Sequence, residues 1–218
     1  MIELPAFRKP DRYKSSSYRS YNFKMPSRYD TAIWSKGAPS IDRAIIEKLG
    51  HDIASLRILD VGCATGRLLD QLAATGATKL SGTDLAPNIL EVAAKKLRRR
   101  GVPVDLQVAD AEDRLPWDDN SFDAVTLTAV LHHFFRPRDA LAEIRRVLRP
   151  GGRLLVLDVC FFPLMRQILN LVLRVMPHDG DYHFYTAAQT ACLLADVAFN
   201  VRDRVDGFGS FLLVSVKS

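Results

Sequence analysis

From Pro39 to the end of the chain, two hydrophobic periods alternate. In "PSIDRAIIEKLG" the apolar residues Ile41, Ala44, Ile45 and Leu49 recur at helical spacing. This predicts an amphipathic helix from Pro39, capped by Ser40 and closed by Gly50. Apolar runs then take turns with amphipathic stretches: "RILDVGC", a helix near Leu68 to Thr75, "KLSGTDL", a helix from Pro87 to Arg100, "DLQVAD", "FDAVTLTAV", a helix from Arg138 to Leu148, and "GRLLVLDV". Runs apolar on both faces and separated by helices predict parallel strands in βαβ units. The rhythm changes at the end. A helix over Ala187 to Ala198 leads into "NVRDRVDG" and "FLLVSVKS", whose link is too short for a parallel crossover, so these two strands must be antiparallel.

Up to about Lys36 no period is sustained. The pattern divides the chain into a basic, aromatic N-terminal extension, residues 1–38, and one domain, residues 39–218, a length that buries most of its surface as a single body. Charge sharpens the division. Residues 1–30 carry seven Lys/Arg against three acids and so account for four of the five net positive charges. The near-neutral body argues against a broad nucleic-acid-binding face, and the extension is expected to be a solvated tail. The start of the chain lacks a secretory signal pattern. The most apolar stretch, Phe161 to Met176, is broken by Arg166, Gln167, Asn170 and Arg174 and falls short of the roughly 20 residues that span a bilayer. Cys63, Cys160 and Cys192 form no C-x-x-C pair and suit free thiols in a reducing compartment. The expectation is a cytoplasmic protein.

Candidate chemistry centres on "ILDVGCATG", where the first strand runs into a bend and then a helix. In open α/β sheets ligands sit beyond the carboxyl ends of the strands. Gly62 and Gly66 allow a tight turn, but Arg67 stands where a dinucleotide fingerprint needs its last glycine, so a pyrophosphate is disfavoured. Asp60, just before the bend, repels phosphate and attracts an ammonium or sulfonium group. Asp84 ends the second strand, 22 residues after Gly62, near the spacing for a carboxylate that holds both ribose hydroxyls. Asp110 follows the third strand, where it can meet an exocyclic amine. Three carboxylates without a phosphate cradle describe a cationic nucleoside.

At these residues the chain resembles the class I S-adenosylmethionine-dependent methyltransferases, in particular the small-molecule group that includes quinone-biosynthesis C-methyltransferases. The resemblance rests on "ILDVGCATGRLL", "GTDLAPNIL", "VADAEDRLPWDDNSFDAV" and "LAEIRRVLRPGGRLLVLD", in that order, and covers roughly residues 40–218. "YHFYTAAQTACLLADVAFNV" is similar to the family's aromatic segment and late helix, with Thr186 and Gln189 forming a capping box. The resemblance implies a Rossmann-like, seven-stranded, mostly parallel sheet with an antiparallel C-terminal strand and helices on both faces. It implies S-adenosylmethionine as cofactor, its methionine moiety held by Asp60, Gly62, Cys63, Ala64 and Gly66. Asp84 would bind the ribose and Leu85 the adenine face, Asp110 and Ala111 would recognise adenine N6 and N1, and Thr128 would offer backbone to the methionine amino group. Ala64 departs from the glycine common there, and Ala86 from a frequent serine.

Methyl transfer from a sulfonium is an in-line displacement served by alignment and water exclusion, so a catalytic side chain is not obligatory. Where the acceptor must lose a proton, His133, beside His132 just past the fourth strand, and His183 are the candidates. The acceptor pocket is expected from Tyr29 and Trp34 of the N-terminal segment and from Leu169, Leu173, Tyr182 and Tyr185 of the insert after the fifth strand. That insert carries a helix apolar around most of its circumference, which must be covered by core, by lipid or another protein surface, or by a hydrophobic acceptor. The leading function is transfer to a small hydrophobic or aromatic acceptor at oxygen or carbon. An RNA or protein methyltransferase and a non-catalytic binding module are the alternatives. No metal is expected, because no Cys, His and carboxylate share a ligand spacing and the adjacent rings of His132 and His133 are expected to diverge.

Overall fold

The computed structural model describes residues 12–26, 29–31, 38–101, 103–175 and 180–218. Seven strands form one sheet: β1 (Arg57–Val61), β2 (Lys79–Asp84), β3 (Val104–Val108), β4 (Phe122–Thr128), β5 (Leu148–Val159), β6 (Phe199–Gly207) and β7 (Ser210–Lys217), in the order β3-β2-β1-β4-β5-β7-β6. β7 runs antiparallel to both its neighbours, and it forms a tight hairpin with β6. This is the fold that the alternating periods and the resemblance imply.

Strand alternation sorts the core into two layers. Ile58, Ala124, Leu155 and Leu157 pack with Ile45 and Leu49 of α2 (Ala38–Leu49), Leu69 and Leu72 of α3 (Arg67–Ala74) and Leu90 and Leu97 of α4 (Pro87–Arg100). Their neighbours Leu59, Val125, Leu154 and Val156 face the other way, onto Leu141 and Ile144 of α5 (Pro137–Val147) and Leu193 and Leu194 of α7 (Ala187–Asp196). Helices therefore cover both faces and leave the strand ends open. The capping box of Thr186 and Gln189 starts α7. The helix expected from Pro39 begins at Ala38, which puts Ser40 inside it rather than at its cap, while Gly50 ends it at φ 81°.

Two expectations need correction. Residues 12–26 are not a solvated tail: α1 (Arg12–Arg19) and the wide helical turn after it bury Lys14, Tyr18, Ser20 and Asn22. Asn22 fixes the segment to the start of α4, accepting a hydrogen bond from the Asn88 amide N–H at 2.9 Å and receiving the Asn88 side chain on its own carbonyl at 2.9 Å. The second concerns the polar residues that break the apolar run of α6 (Pro163–Val175), which do not share one outward face. Asn170 points inward, its side chain clasping the backbone of Phe184 through bonds of 2.8 and 3.1 Å, and Arg166 is half-buried. Leu164, Met165, Ile168, Leu171 and Val172 face outward instead.

Candidate active site

The strand order brings the carboxyl ends of β1, β2 and β4 side by side, and a cleft opens above them. Gly62, Ala64, Asp84, Leu85, Asp110 and Ala111 line it from the sheet side. The bend is built from left-handed backbone, with Gly62 at φ 71°, Ala64 at 45° and Gly66 at 69°. At Gly62 a side chain is also excluded by space, since an added Cβ would lie 2.5 Å from Val130. Asp84 locks the loops together: one carboxylate oxygen accepts from the Ala64 N–H and the other from the Ala86 N–H, each at 3.0 Å. Burial pushes its pKa up to about 6, against the pull of those backbone donors. The Leu85 backbone is a third donor to this carboxylate, so of its four acceptor positions about one is left for a ligand in the cleft.

Not every predicted cofactor residue meets the cleft. Asp60 lies behind the bend, 3% exposed, with its carboxylate on the Thr126 hydroxyl at 2.7 Å, and burial takes its pKa up to about 7. Cys63 is buried against Gly82, and burial raises its thiol pKa. Gly66 caps α3. Thr128 ends β4, and it is the next residue, Ala129, that lines the cleft.

The opposite wall comes from the N-terminal segment and the turn after β4. Lys14, Ser17, Tyr21, Tyr29, Val130, His133 and Phe134 line it. Lys14 pairs with Asp110 and, at 2.7 Å, with Glu112. Burial alone would lower its pKa, but the bonds to the two carboxylates outweigh it and leave the ammonium stabilised. The Tyr29 hydroxyl is pushed up to about 12 by burial and by the Asp84 charge. The sequence pattern does not reveal Lys14, Tyr21 or Glu112 as site residues. Glu112 sits two residues past Asp110, but nothing local shows that it turns into the cleft, and Lys14 and Tyr21 belong to a stretch without a period of its own.

His132 and His133 sit in a short 3-10 turn, Leu131–His133, with rings 4.1 Å apart and tilted by 44°. The expectation that adjacency separates the rings is therefore corrected: the tight turn keeps both on one side. His132 Nδ1 bonds Asp158 at the end of β5, at 2.6 Å. Burial lowers its proton affinity, but the charge and bond of Asp158, with the charge of Asp181, raise it further. His133 is held well below the ordinary histidine value by burial and then by the charge of His132, against a weaker pull from the Gly180 backbone. Its Nε2 faces the Tyr21 hydroxyl at 3.2 Å.

The remaining acceptor candidates stand away from this cleft. Leu173 is buried and Leu169 half-buried on the inner side of α6. Tyr182 packs edge-on to Phe135, and His183 lies beside Tyr185 and within 3.4 Å of Asn170. Burial lowers the His183 pKa and raises that of Tyr185. None of the five lines the cleft, although the amides of Tyr182 and His183 both bond the His132 carbonyl and so hold the 180–186 loop against its edge. Trp34 lies outside the described residues.

A family model described as a methyltransferase domain matches residues 59–156. A demethylmenaquinone methyltransferase of Thermus thermophilus is 40% identical over 156 residues, covering 70% of this chain and 69% of that protein. A demethylmenaquinone methyltransferase of Clavibacter sepedonicus is 34% identical over 70% of this chain and 63% of its own length. A ubiquinone biosynthesis O-methyltransferase of Xanthomonas oryzae is 32% identical over 70% of this chain and 66% of its own length. The chain thus spans just under two thirds of these last two. A solved magnesium protoporphyrin IX methyltransferase of Synechocystis, with bound SAH, shares the fold at a TM-score of 0.75 and 18% identity, over 94% of this chain and all of that one. With its four ordered motifs, its strand order and these relatives, the chain belongs to the class I S-adenosylmethionine-dependent methyltransferases.

Proposed function

We propose that the protein transfers the methyl group of S-adenosylmethionine to oxygen or carbon of a small, hydrophobic, aromatic acceptor of quinol type. The observation that carries this reading is the cleft in which a glycine-bent strand end and the carboxylates of Asp84 and Asp110 face an aromatic wall of Tyr21, Tyr29 and Phe134. The residues present fit the cofactor. Asp84 would take a ribose hydroxyl on its remaining acceptor position, Leu85 would offer an apolar face to adenine, and Asp110 and Ala111 would meet its amine and ring nitrogen. Gly62 and Ala64 let backbone approach the methionine moiety. Asp60 lies behind the bend and acts on that moiety by fixing the strand end through the Thr126 hydroxyl rather than by contact.

S-adenosylmethionine supplies an electrophilic methyl on a sulfonium when bound. The chain's own part is to align the acceptor and exclude water. Tyr21 and Tyr29 close the cleft over the bend, and His133 with the Tyr21 hydroxyl supplies the polar contact for an acceptor hydroxyl in otherwise apolar surroundings. The acceptor class is supported by the relatives named for menaquinone and ubiquinone synthesis. Among the described residues no helix is long and apolar enough to cross a membrane. The outward apolar residues of α6 provide a surface on which a poorly soluble acceptor can be delivered. Free Cys63, Cys160 and Cys192 suit the reducing cytoplasm.

The test is turnover with methyl-labelled S-adenosylmethionine and a panel of short-chain quinols, phenols, RNA and peptide acceptors. Label should enter the quinol or phenol fraction, and Tyr21→Phe should slow transfer about tenfold while cofactor affinity holds, the scale of one lost active-site hydrogen bond. Label in RNA or peptide alone, or in none of the acceptors, would overturn the reading.

A further inference from the structure

We propose that His132, His133 and Asp181 form a binding site for a divalent transition-metal ion at the acceptor end of the cleft. His133 Nδ1 lies 3.2 Å and His132 Nε2 3.7 Å from the same Asp181 Oδ1, and the three ligand atoms all fall within 4.8 Å of one another. Two ligands about 2.0–2.1 Å from one tetrahedral metal stand about 3.3 Å apart, so a metal fits among these atoms with movements of an ångström or less. His133 Nδ1 is buried and makes no hydrogen bond of proper geometry, although the carboxylate is close.

The surroundings supply what a metal-binding histidine needs. Ligating imidazoles hand their second nitrogen to a carboxylate or another acceptor, which fixes the ring and the tautomer. His132 Nδ1 bonds the buried Asp158 at 2.6 Å, and the second oxygen of Asp158 takes the His132 backbone N–H at 3.1 Å. His133 Nε2 faces the Tyr21 hydroxyl at 3.2 Å. Asp181 is delivered by the 180–186 loop, whose amides at Tyr182 and His183 both bond the His132 carbonyl, so the third ligand is anchored to the turn that carries the other two. Imidazole with one carboxylate selects zinc, manganese, iron, cobalt or nickel over magnesium and calcium, which prefer oxygen donors throughout. Three protein ligands leave coordination positions open, and His133 lines the cleft, so the open side takes an oxygen of the acceptor. That role rests on the methyltransferase reading, whereas the ion site does not.

The test starts from full-length protein stripped with chelator and dialysed, then titrated with cobalt(II) chloride under visible absorption and with zinc by calorimetry. The expected result is one saturable ion per chain with d–d bands of nitrogen and oxygen ligation. Asp181→Asn and His133→Gln should each weaken binding at least tenfold, and thermal unfolding without metal checks that both variants fold. His51→Gln and Cys192→Ser, at exposed positions, should bind as the parent does. Absence of saturable binding, a thiolate charge-transfer band lost in Cys192→Ser, or binding indifferent to Asp181→Asn and His133→Gln would each overturn the site. S-adenosylmethionine calorimetry on the same stripped protein separates the two claims. Saturable cofactor binding by a protein that takes up no added metal defeats only the ion site, and saturable metal uptake by a protein that binds no cofactor defeats only the methyltransferase reading.

Discussion

The two walls of the cleft are assembled by different means. On the sheet side Gly62, Ala64, Asp84, Leu85, Asp110 and Ala111 come from successive strand ends, so fold and site arise from the same local pattern. On the other side Lys14 reaches Asp110 and Glu112, Tyr21 meets His133 across 112 residues of sequence, and Asp181 joins His132 and His133 from a loop beyond α6. The first wall follows once the strands pair. The second exists only after the N-terminal segment and the 180–186 loop have docked. Losses on the sheet side should therefore fall on cofactor affinity, and losses on the far side on stability and acceptor handling.

The largest expected effect breaks the sheet-side wall. Asp84→Ala removes the acceptor proposed for the ribose and unties the Ala64 and Ala86 amides, with an expected cost of about 1.5–3 kcal/mol of S-adenosylmethionine affinity, as for hydrogen bonds to a charged group. Calorimetry should show roughly 10- to 150-fold weaker binding in a folded protein. Wild-type affinity would place the ribose elsewhere.

That asymmetry explains how much the sequence disclosed. The strands, the helices and the α7 cap were legible because period and capping are local, and so were Asp84 and Asp110, which sit at strand ends. Lys14, Tyr21, Glu112, Asp158 and Asp181 were not. Their role depends on which distant segment faces them, and a basic segment with tyrosines reads as a solvated tail until its partners are known. α6 misled for a related reason. Asn170 is polar but serves the Phe184 backbone, so the helix presents its apolar residues outward.

A second effect separates the walls by charge. Asp60 and Asp84 have folded-state pKa values of about 7 and about 6, raised by burial above the ordinary carboxyl value of 3.8. The native state therefore holds protons that the unfolded chain releases, and stability falls as pH rises from about 4 towards 7. Asp60 is surrounded by Thr126, Asp42, Arg67 and Asp84, and the single cation does not cancel the penalty. Urea unfolding should show the protein more stable at pH 5 than at pH 7.5 by on the order of 2 kcal/mol, a tenfold change in proton affinity being worth about 1.4 kcal/mol. Asp60→Asn should flatten most of that slope, and a profile that rises through this window would contradict the burial of an uncompensated carboxylate.

Lys14→Met tests the far wall at smaller cost. The apolar stem is kept, but Asp110 and Glu112 lose their shared cation, while Glu112 keeps the Arg136 amide. Stability should drop by about 1–2 kcal/mol, below the cost of breaking a fully enclosed pair, because Asp110 retains some access to water. Affinity for S-adenosylmethionine should not fall, since Asp110 is freed for the adenine amine proposed as its partner. A stability change near zero would return the segment to a loosely attached tail, and a loss of affinity would make Lys14 itself a cofactor contact.

The smallest effect probes the bend. Ala64 holds φ 45°, where an L-residue is strained by about 1–2 kcal/mol and glycine is not. Glycine also gains about 0.4–1 kcal/mol of unfolded-chain entropy, so Ala64→Gly should stabilise the protein by only about 0.5 kcal/mol. Ala198, at φ 58° between α7 and β6, is the control because it meets the same backbone condition and does not line the cleft. Both glycine variants should gain similarly in urea unfolding, whereas only Ala64→Gly, which removes a methyl from the sheet-side wall, should tighten S-adenosylmethionine binding. If both variants changed affinity alike, the gain would belong to global stability and not to room at the bend. If Ala64→Gly weakened binding, the Ala64 methyl would be a packing surface for the methionine moiety, and its departure from glycine would be a contact of this chain's own.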